Sequence, residues 1–405
     1  MKPIVRAERM KPVHSDIRGP LFVEAMKRQK QGIDILKLNT GNPATFGFGL
    51  PDSIKNALIE HMQDGVGYCD FKGMPQARQA ICDYETSKGI KGITPDDVFI
   101  GNGVSEVVSF ALTPLLNDGD EVLVPSPSYS LWGNSVYLED GKPVFYTCDE
   151  QANWYPDIQD IRSKITDKTK AIVIINPNNP TGVLYPKELL LEIIQIARES
   201  GLLIFADEIY DRLVMDGKQH ISLASLTEDV PVITLNGLSK SHCLCGYRCG
   251  WMVISGPREL TEDYRQGIIQ LTSLRLCANT MAQIVIPAAL DDMETPASMV
   301  RPGGRIYEQR EATVRELEKI DGLSFVKNDA AFYVFPKLDV KKFNITNDKQ
   351  FAHDLLDVTN ILLVPGSGFD WKDPDHFRIV MLPQADILSD AIRRMGTFLD
   401  GYKQK

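Results

Sequence analysis

The chain has 405 residues, 43% hydrophobic and 24% charged, with a formal net charge of −10. That length allows two domains and a sizeable core, and an acidic balance with no basic block argues against a nucleic-acid partner. Met1 to Pro20 has no apolar stretch of secretory type, no apolar run approaches the roughly 18 residues of a membrane span, and an odd number of cysteines suits reduced thiols in the cytoplasm.

In chain order, Met1 to Asn39 is expected to pack with the C-terminal part. The first candidate site is Gly101-Asn102-Gly103-Val104-Ser105-Glu106. Apolar residues at 107, 108, 111, 112 and 115 predict a helix starting near Ser105 and ended or kinked by Pro114. A glycine turn into a helix N-terminus offers free amides and a positive dipole end to an anion. Glu106 stands where a dinucleotide fingerprint has its third glycine, which disfavours a dehydrogenase; an ordinary Ser105 N-cap is the alternative.

Short apolar runs follow at Glu121–Val124, Ala171–Ile175, Leu202–Ala206, Val232–Leu235 and Met252–Ile254. Runs apolar on both faces, separated by helix-length stretches, predict parallel strands covered by helices. Leu189 to Ile196 predicts one such helix, with apolar residues at 189, 190, 191, 193, 194 and 196. The expected architecture is an open α/β sheet, which places ligands outside the carboxyl ends of its strands.

Three of these runs end in chemistry. The first meets Asn176-Pro177-Asn178-Asn179-Pro180-Thr181-Gly182, a rigid turn that holds Asn179 at the sheet edge or is merely a turn. The next ends in Asp207, before Glu208-Ile209-Tyr210. A carboxylate there needs a partner, for which a pyridinium nitrogen would serve; an N-cap is the alternative. The third ends in Asn236-Gly237-Leu238-Ser239-Lys240, with Arg248 eight residues on. Lys240 is poorly placed for a solvated charge and well placed for a covalent link to an aldehyde cofactor whose phosphate lies nearby. Beyond about residue 285, Thr295 to Gly304 reads as a connection. Arg305 to Ile320 reads as a helix, and Ala331–Phe335, Ile361–Val364 and Phe377–Val380 read as strands of a smaller α+β domain.

Together, NPNNPTG, ADEIY and GLSK followed by GYRCGW resemble the fold-type I pyridoxal-phosphate-dependent class I/II aminotransferases. The likeness covers nearly the whole chain, through SDIRGP, LNTGNPATFGF, GYCDFKG, IGNGVSE, RLCAN and RIVMLP. These flanking segments look closest to bacterial alanine (glutamate–pyruvate) aminotransferases. The resemblance implies an α/β fold with a mainly parallel central sheet in a large cofactor domain, residues 46–289. A smaller α+β domain would combine residues 1–45 and 290–405.

It also implies roles. Lys240 would carry pyridoxal 5′-phosphate and move the proton between Cα and C4′. Asp207 would pair with the ring nitrogen, Asn179 and Tyr210 would bond the phenolic oxygen, and Tyr129 would stack on the ring. The amides of Val104 and Ser105, together with Ser239 and Arg248, would hold the phosphate. Tyr68 would reach it from the partner subunit of a homodimer. Arg378, Asn179 and the Gly41 backbone would take the substrate α-carboxylate.

Two departures stand out. His242, Cys243, Cys245 and Cys249 are rich in metal-type ligands, but Cys-x-Cys-x3-Cys lacks common zinc spacing, so no metal is expected and small buried thiols are. Ser15 stands where the resembled subgroup often has an aromatic residue. The expected activity is ping-pong amino transfer between L-alanine/pyruvate and L-glutamate/2-oxoglutarate. The rivals are an aminotransferase preferring aromatic, branched-chain or aspartate substrates, a β-eliminating carbon–sulfur lyase, and a non-enzymatic ligand-sensing module. For the distal carboxylate of glutamate the candidate is Arg18, beside the Gly19-Pro20 turn; Arg275 is the rival cation, and an Arg18–Asp16 surface pair is the bland alternative.

Overall fold

Continuous apolar runs become strands buried on both faces. A short strand β1 (Leu36–Lys37) precedes the main sheet, whose eight strands are β2 (Val98–Asn102), β3 (Glu121–Ser126), β4 (Lys142–Asp149), β5 (Tyr155–Pro156), β6 (Thr169–Ile175), β7 (Leu203–Asp207), β8 (Val232–Gly237) and β9 (Cys249–Ser255). In this computed structural model, which describes residues 3–405, their spatial order is β2-β9-β8-β7-β6-β3-β4-β5. Met1 and Lys2, the first residues of the expected 1–45 segment, lie outside the described residues. Alternation along β6 explains the unbroken apolar pattern. Ile172 and Ile174 join one core with Ile193 and Leu190, while Ala171, Val173 and Ile175 join the opposite core with Phe205 and Val107.

Strands β3, β4, β6, β7 and β8 run parallel, as their helix-length spacing requires. Strand β9, expected among the parallel set, is antiparallel to both β8 and β2. Only a short connection separates β8 from β9, too short for a covering crossover helix. The reversal matters for the site, because it brings the start of β9, and Arg248 just before it, to the edge where the parallel strands end.

The helix Lys187–Ser200 buries Leu189, Leu190, Ile193, Ile194, Ile196 and Ala197. Leu191 is 42% exposed, because at ~100° per residue it falls off the stripe that these side chains share. Glu294–Val300 is a helix rather than a connection: Pro296 falls in its first turn, where no backbone donor is lost, and Met299 and Val300 are buried. The following helix, Arg305–Leu317, stops short of Ile320.

The remaining strands are short: β10 (Leu323–Ser324), β11 (Tyr333–Val334), β12 (Lys337–Leu338), β13 (Ile361–Leu362), β14 (Val364–Pro365) and β15 (Phe377–Val380). The order β11-β15-β14 makes a small antiparallel sheet, and β1 pairs in parallel with β13. With the helices Asp348–Thr359 and Ala385–Leu399 they enclose a second core containing Leu38, Phe351, Leu355, Phe377 and Ile392. Thus β15 places Arg378 beside the carboxyl edge of the main sheet.

Candidate active site

The glycine turn after β2 opens directly into a helix N-terminus beside an arginine. Gly103 is the N-cap of the helix Val104–Leu112, one residue earlier than the Ser105 start expected, and its φ of +84° and ψ of 163° suit glycine. The first amides of that helix, Val104 and Ser105, have no acceptors within it. Glu106 is a brace rather than a misplaced glycine: it accepts from the Asn102 amide at 2.7 Å and the Asn102 side chain at 3.0 Å. Arg248 donates to Ser105 Oγ at 3.1 Å, and its guanidinium lies against Gly103 where a Cβ would stand. Gly250 lets the start of β9 approach this turn, where a Cβ would meet the Gly103 backbone, and Gly237 lets the end of β8 close on Cys249 and Gly250. Ser239 is half-buried, and its carbonyl accepts the Cys245 thiol at 2.9 Å.

Asp207 is the last residue of β7 and is buried. A turn follows it, not a helix, so it caps nothing. Its Oδ2 accepts from Trp132 Nε1 at 3.0 Å and its Oδ1 from the Ile209 amide at 3.4 Å. Burial pushes its carboxyl up to about 6, against the Trp132 hydrogen bond that favours the charge. An acid so desolvated calls for a cationic partner.

Lys240 lies in the short helix Leu238–Ser241 that closes β8, and its Nζ donates to the Gly41 carbonyl at 3.1 Å. Burial opposes its charge, but Tyr333, Cys245 and Tyr129 more than offset that and leave the ammonium above the ordinary lysine range. Its Nζ sits 5.9 Å from the centre of the Phe332 ring, and Phe332 packs on Tyr333. The Tyr333 and Tyr210 hydroxyls lie 2.9 Å apart, which joins the Asp207 strand to the small sheet.

Arg378 is 1% exposed on β15. It donates to Asn179 Oδ1 at 2.9 Å and to the Asn39 carbonyl, between the rings of Tyr333 and Phe369, each 4.6 Å away. Its Nε has no partner, and among the described residues no carboxylate balances it. Burial lowers its pKa, so the missing counter-charge is a real cost. A substrate carboxylate would supply it.

Contacts through Cys245 and Tyr333 therefore link Gly41, Ser105, Asn179, Asp207, Tyr210, Lys240, Arg248 and Arg378 into one cluster. Tyr129, 38% exposed, bears on the charges of both Lys240 and Arg378. Tyr68 stands apart at 84% exposed. Arg18 is exposed, and Asp16 pairs with His14 and Lys349 instead of with it. Its segment is tied to the site through Asn39, whose side chain donates to the Ile17 carbonyl at 2.9 Å. Arg275 is committed to Glu106 at 2.6 Å and to the carbonyls of Phe71 and Ile100.

The cysteine-rich segment splits three ways. Cys243 lies 3.9 Å from Met299 Sδ, and Cys249 points at the Ala282 carbonyl at 2.9 Å; burial pushes both thiols up to about 12. Of the thiols expected to be buried, Cys249 is, whereas Cys243 and Cys245 are half-buried. Sequence reasoning missed Trp132, Tyr333 and Asn39. An indole and a phenol inside apolar stretches were the available signals, since each needs a hydrogen-bond partner when buried.

Residues 33–392 match the family described as aminotransferase class I and II. The chain is 50% identical to a Haemophilus influenzae protein named glutamate-pyruvate aminotransferase AlaA, over all of both chains. The structure of an aminotransferase from Escherichia coli superposes with a TM-score of 0.98 at 47% identity, covering 100% of both chains. That of alanine aminotransferase from Pyrococcus furiosus superposes at 0.93 with 41% identity, covering 98% of this chain and 100% of that one.

Proposed function

The chain belongs to the aminotransferase class I and II family, and from that premise we propose how its own residues carry the reaction. It is a pyridoxal-5′-phosphate-dependent transaminase that moves an amino group between L-alanine/pyruvate and L-glutamate/2-oxoglutarate. The order is ping-pong: the first keto acid leaves before the second substrate binds. The observation that carries the site assignment is Arg378, a buried cation without a counter-ion, in the same cluster as Lys240 and Asp207.

The residues fit the cofactor. The Gly103 turn with Arg248 and the Val104 and Ser105 amides would take its phosphate; Ser239 would add a hydroxyl. Asp207, a desolvated acid in want of a cation, would hold the proton on the ring nitrogen. Asn179 and Tyr210 would face the phenolic oxygen and Tyr129 the ring. Bound there, pyridoxal 5′-phosphate supplies a carbonyl for the amino group and a ring that withdraws electrons from the substrate Cα. Arg378 orients the α-carboxylate by a charge-assisted pair, with Asn179 and Gly41 beside it. Lys240 Nζ would anchor the cofactor covalently and, once displaced by the substrate's amino group, would carry the proton between Cα and C4′.

The unit proposed is a homodimer. Exposed Tyr68 would reach a second copy's phosphate site, and Ile59, Met62, Val66, Leu274 and Leu276 are exposed apolar side chains that a second copy would cover. The domains are taken as 46–289 and as 1–45 with 290–405, and seven unbridged thiols suit a reducing cytoplasm. Borohydride treatment of the loaded enzyme followed by peptide mapping tests the anchor: the label belongs on Lys240, and a label on any other lysine overturns the assignment.

A further inference from the structure

We propose that Lys88 is a positioning residue of the active site, its ammonium tying together from behind the strand ends that carry Asn179, Asp207 and Lys240. The inference rests on the assignment of Lys240 and Asp207 made above. Lys88 follows the helix Pro75–Ser87, and its Nζ lies 2.6 Å from Glu85 Oε2, 2.9 Å from Glu208 Oε2 and 3.1 Å from Asp211 Oδ2. All three carboxylates are buried, with side-chain exposures of 0%, 2% and 3%.

Each carboxylate reaches a different part of the sheet. Glu208 directly follows Asp207, and its other oxygen accepts from Ser222 Oγ at 2.9 Å and the Leu223 amide at 3.0 Å. Asp211 Oδ2 accepts from Asn236 Nδ2 at 2.7 Å, in β8 and four residues before Lys240, and from Tyr84 at 2.6 Å. Glu85 Oε1 accepts from Trp251 Nε1 on β9 at 3.0 Å. His220, 4.0 Å from Glu208, lies 3.1 Å from the carbonyl of Asn176, which leads into the Asn179 turn. Burial lowers His220 and keeps it neutral. Arg212, over the Tyr84 ring at 4.2 Å, spends its donors on the carbonyls of Ala289 and Leu290.

Glu208, Asp211 and His220 present ligand atoms within 4.8 Å of one another, a spacing that would suit a metal ion. Lys88 Nζ already bonds the two carboxylates, so the cation is built into the chain. Its consequence for the site is electrostatic as well as mechanical. The groups facing Asp207 are Glu208, Lys240, Tyr210 and the Trp132 indole, and of these Glu208 pushes the Asp207 carboxyl toward its neutral form while Lys240 and Trp132 favour its charge. By neutralising Glu208, Lys88 keeps Asp207 available as an anion.

The chain has four tryptophans, so the indole resonances of protein labelled with 15N-tryptophan are few, and Trp132 reports on Asp207 directly. The titration midpoint of that resonance is followed in the full-length cofactor-free chain and kcat in the loaded enzyme. Lys88→Met should raise the midpoint by about one pH unit and Glu208→Gln should lower it by a similar amount. Lys88→Met should also cut kcat by about tenfold or more with KM for L-alanine within about threefold, and Lys88→Arg should restore most of both. A folded Lys88→Met with unchanged midpoint and kcat overturns the proposal, as do shifts of the same sign in Lys88→Met and Glu208→Gln. Should Lys88→Met not fold, an unmoved midpoint in Glu208→Gln overturns it. The borohydride map keeps the failures apart: a label off Lys240 sinks the site assignment, whereas a label on Lys240 with an unmoved Trp132 sinks only the role of Lys88.

Discussion

In the proposed mechanism two arginines divide the work of recognising the substrates. Arg378 is buried and, among the described residues, without a counter-ion, so every substrate that brings an α-carboxylate would relieve the same cost. Arg18 is exposed and unpaired with Asp16, on a segment that Asn39 links to Arg378. Alanine ends in a methyl group and glutamate in a second carboxylate, so a cation fixed in the side-chain pocket would be wrong for one of them. Arg275, the other candidate, is already paired with Glu106. Arg378→Leu should lower kcat/KM for all four substrates by roughly 30- to 1000-fold, equivalent to about 2–4 kcal/mol. Arg18→Ala should lower it about 10- to 100-fold for glutamate and 2-oxoglutarate only, with alanine and pyruvate within about threefold. Steady-state kinetics with each substrate decide; equal losses in Arg18→Ala would move its role to folding, and a selective glutamate defect in Arg275→Ala would transfer the role there.

The carboxyl ends of β6, β7 and β8 were legible because each ends an unbroken apolar run, and a polar residue there has to be explained by a partner. What could not be read was which element returns to meet them. Strand β9 looks like its neighbours in composition, and only the short link after β8 reverses it and delivers Arg248. Glu106 was read as a missing glycine because the donors its carboxylate accepts from are set by the fold: the turn aims Asn102 at it, and Arg275 arrives from 169 residues away. Trp132 and Tyr333 stayed hidden for the same reason: apolar neighbours surround both, and their partners lie 75 and 123 residues away. The anion-binding turn gives the element's own test. Gly103→Ala places a Cβ at a φ of +84°, against the Arg248 guanidinium. Strain of about 1–3 kcal/mol at the proposed phosphate site should weaken cofactor binding by roughly 5- to 150-fold. Gly119→Ala, at a φ of +77° with open space around its Cβ, is the control. Fluorescence titration of the cofactor-free proteins checks this, and equal affinities would remove the turn from the phosphate site.

Across the molecule, the site stores a cost that the cofactor, bound as proposed, would remove. Asp207 is raised from 3.8 to about 6 by burial. Between about pH 4 and pH 6 the folded, cofactor-free chain thus holds a proton that the unfolded chain has lost, so this group's stability contribution is fully present below about pH 4 and is lost as the pH rises through about 6, roughly 3 kcal/mol in all. A protonated ring nitrogen beside Asp207, as proposed, would reverse the sign of that environment. The gap in melting temperature between loaded and cofactor-free protein should therefore widen from about pH 5 to about pH 7 in the parent and stay flat in Asp207→Asn. Identical widening in both would show that Asp207 is not the group concerned. The most direct measurement of the whole account is a single turnover. L-alanine added to loaded enzyme without a keto acid should bleach the visible cofactor band and release one equivalent of pyruvate per site with no ammonia. Adding 2-oxoglutarate should then restore the band with one equivalent of glutamate. Pyruvate and ammonia accumulating beyond one equivalent per site, or a band that L-alanine leaves untouched, would contradict it.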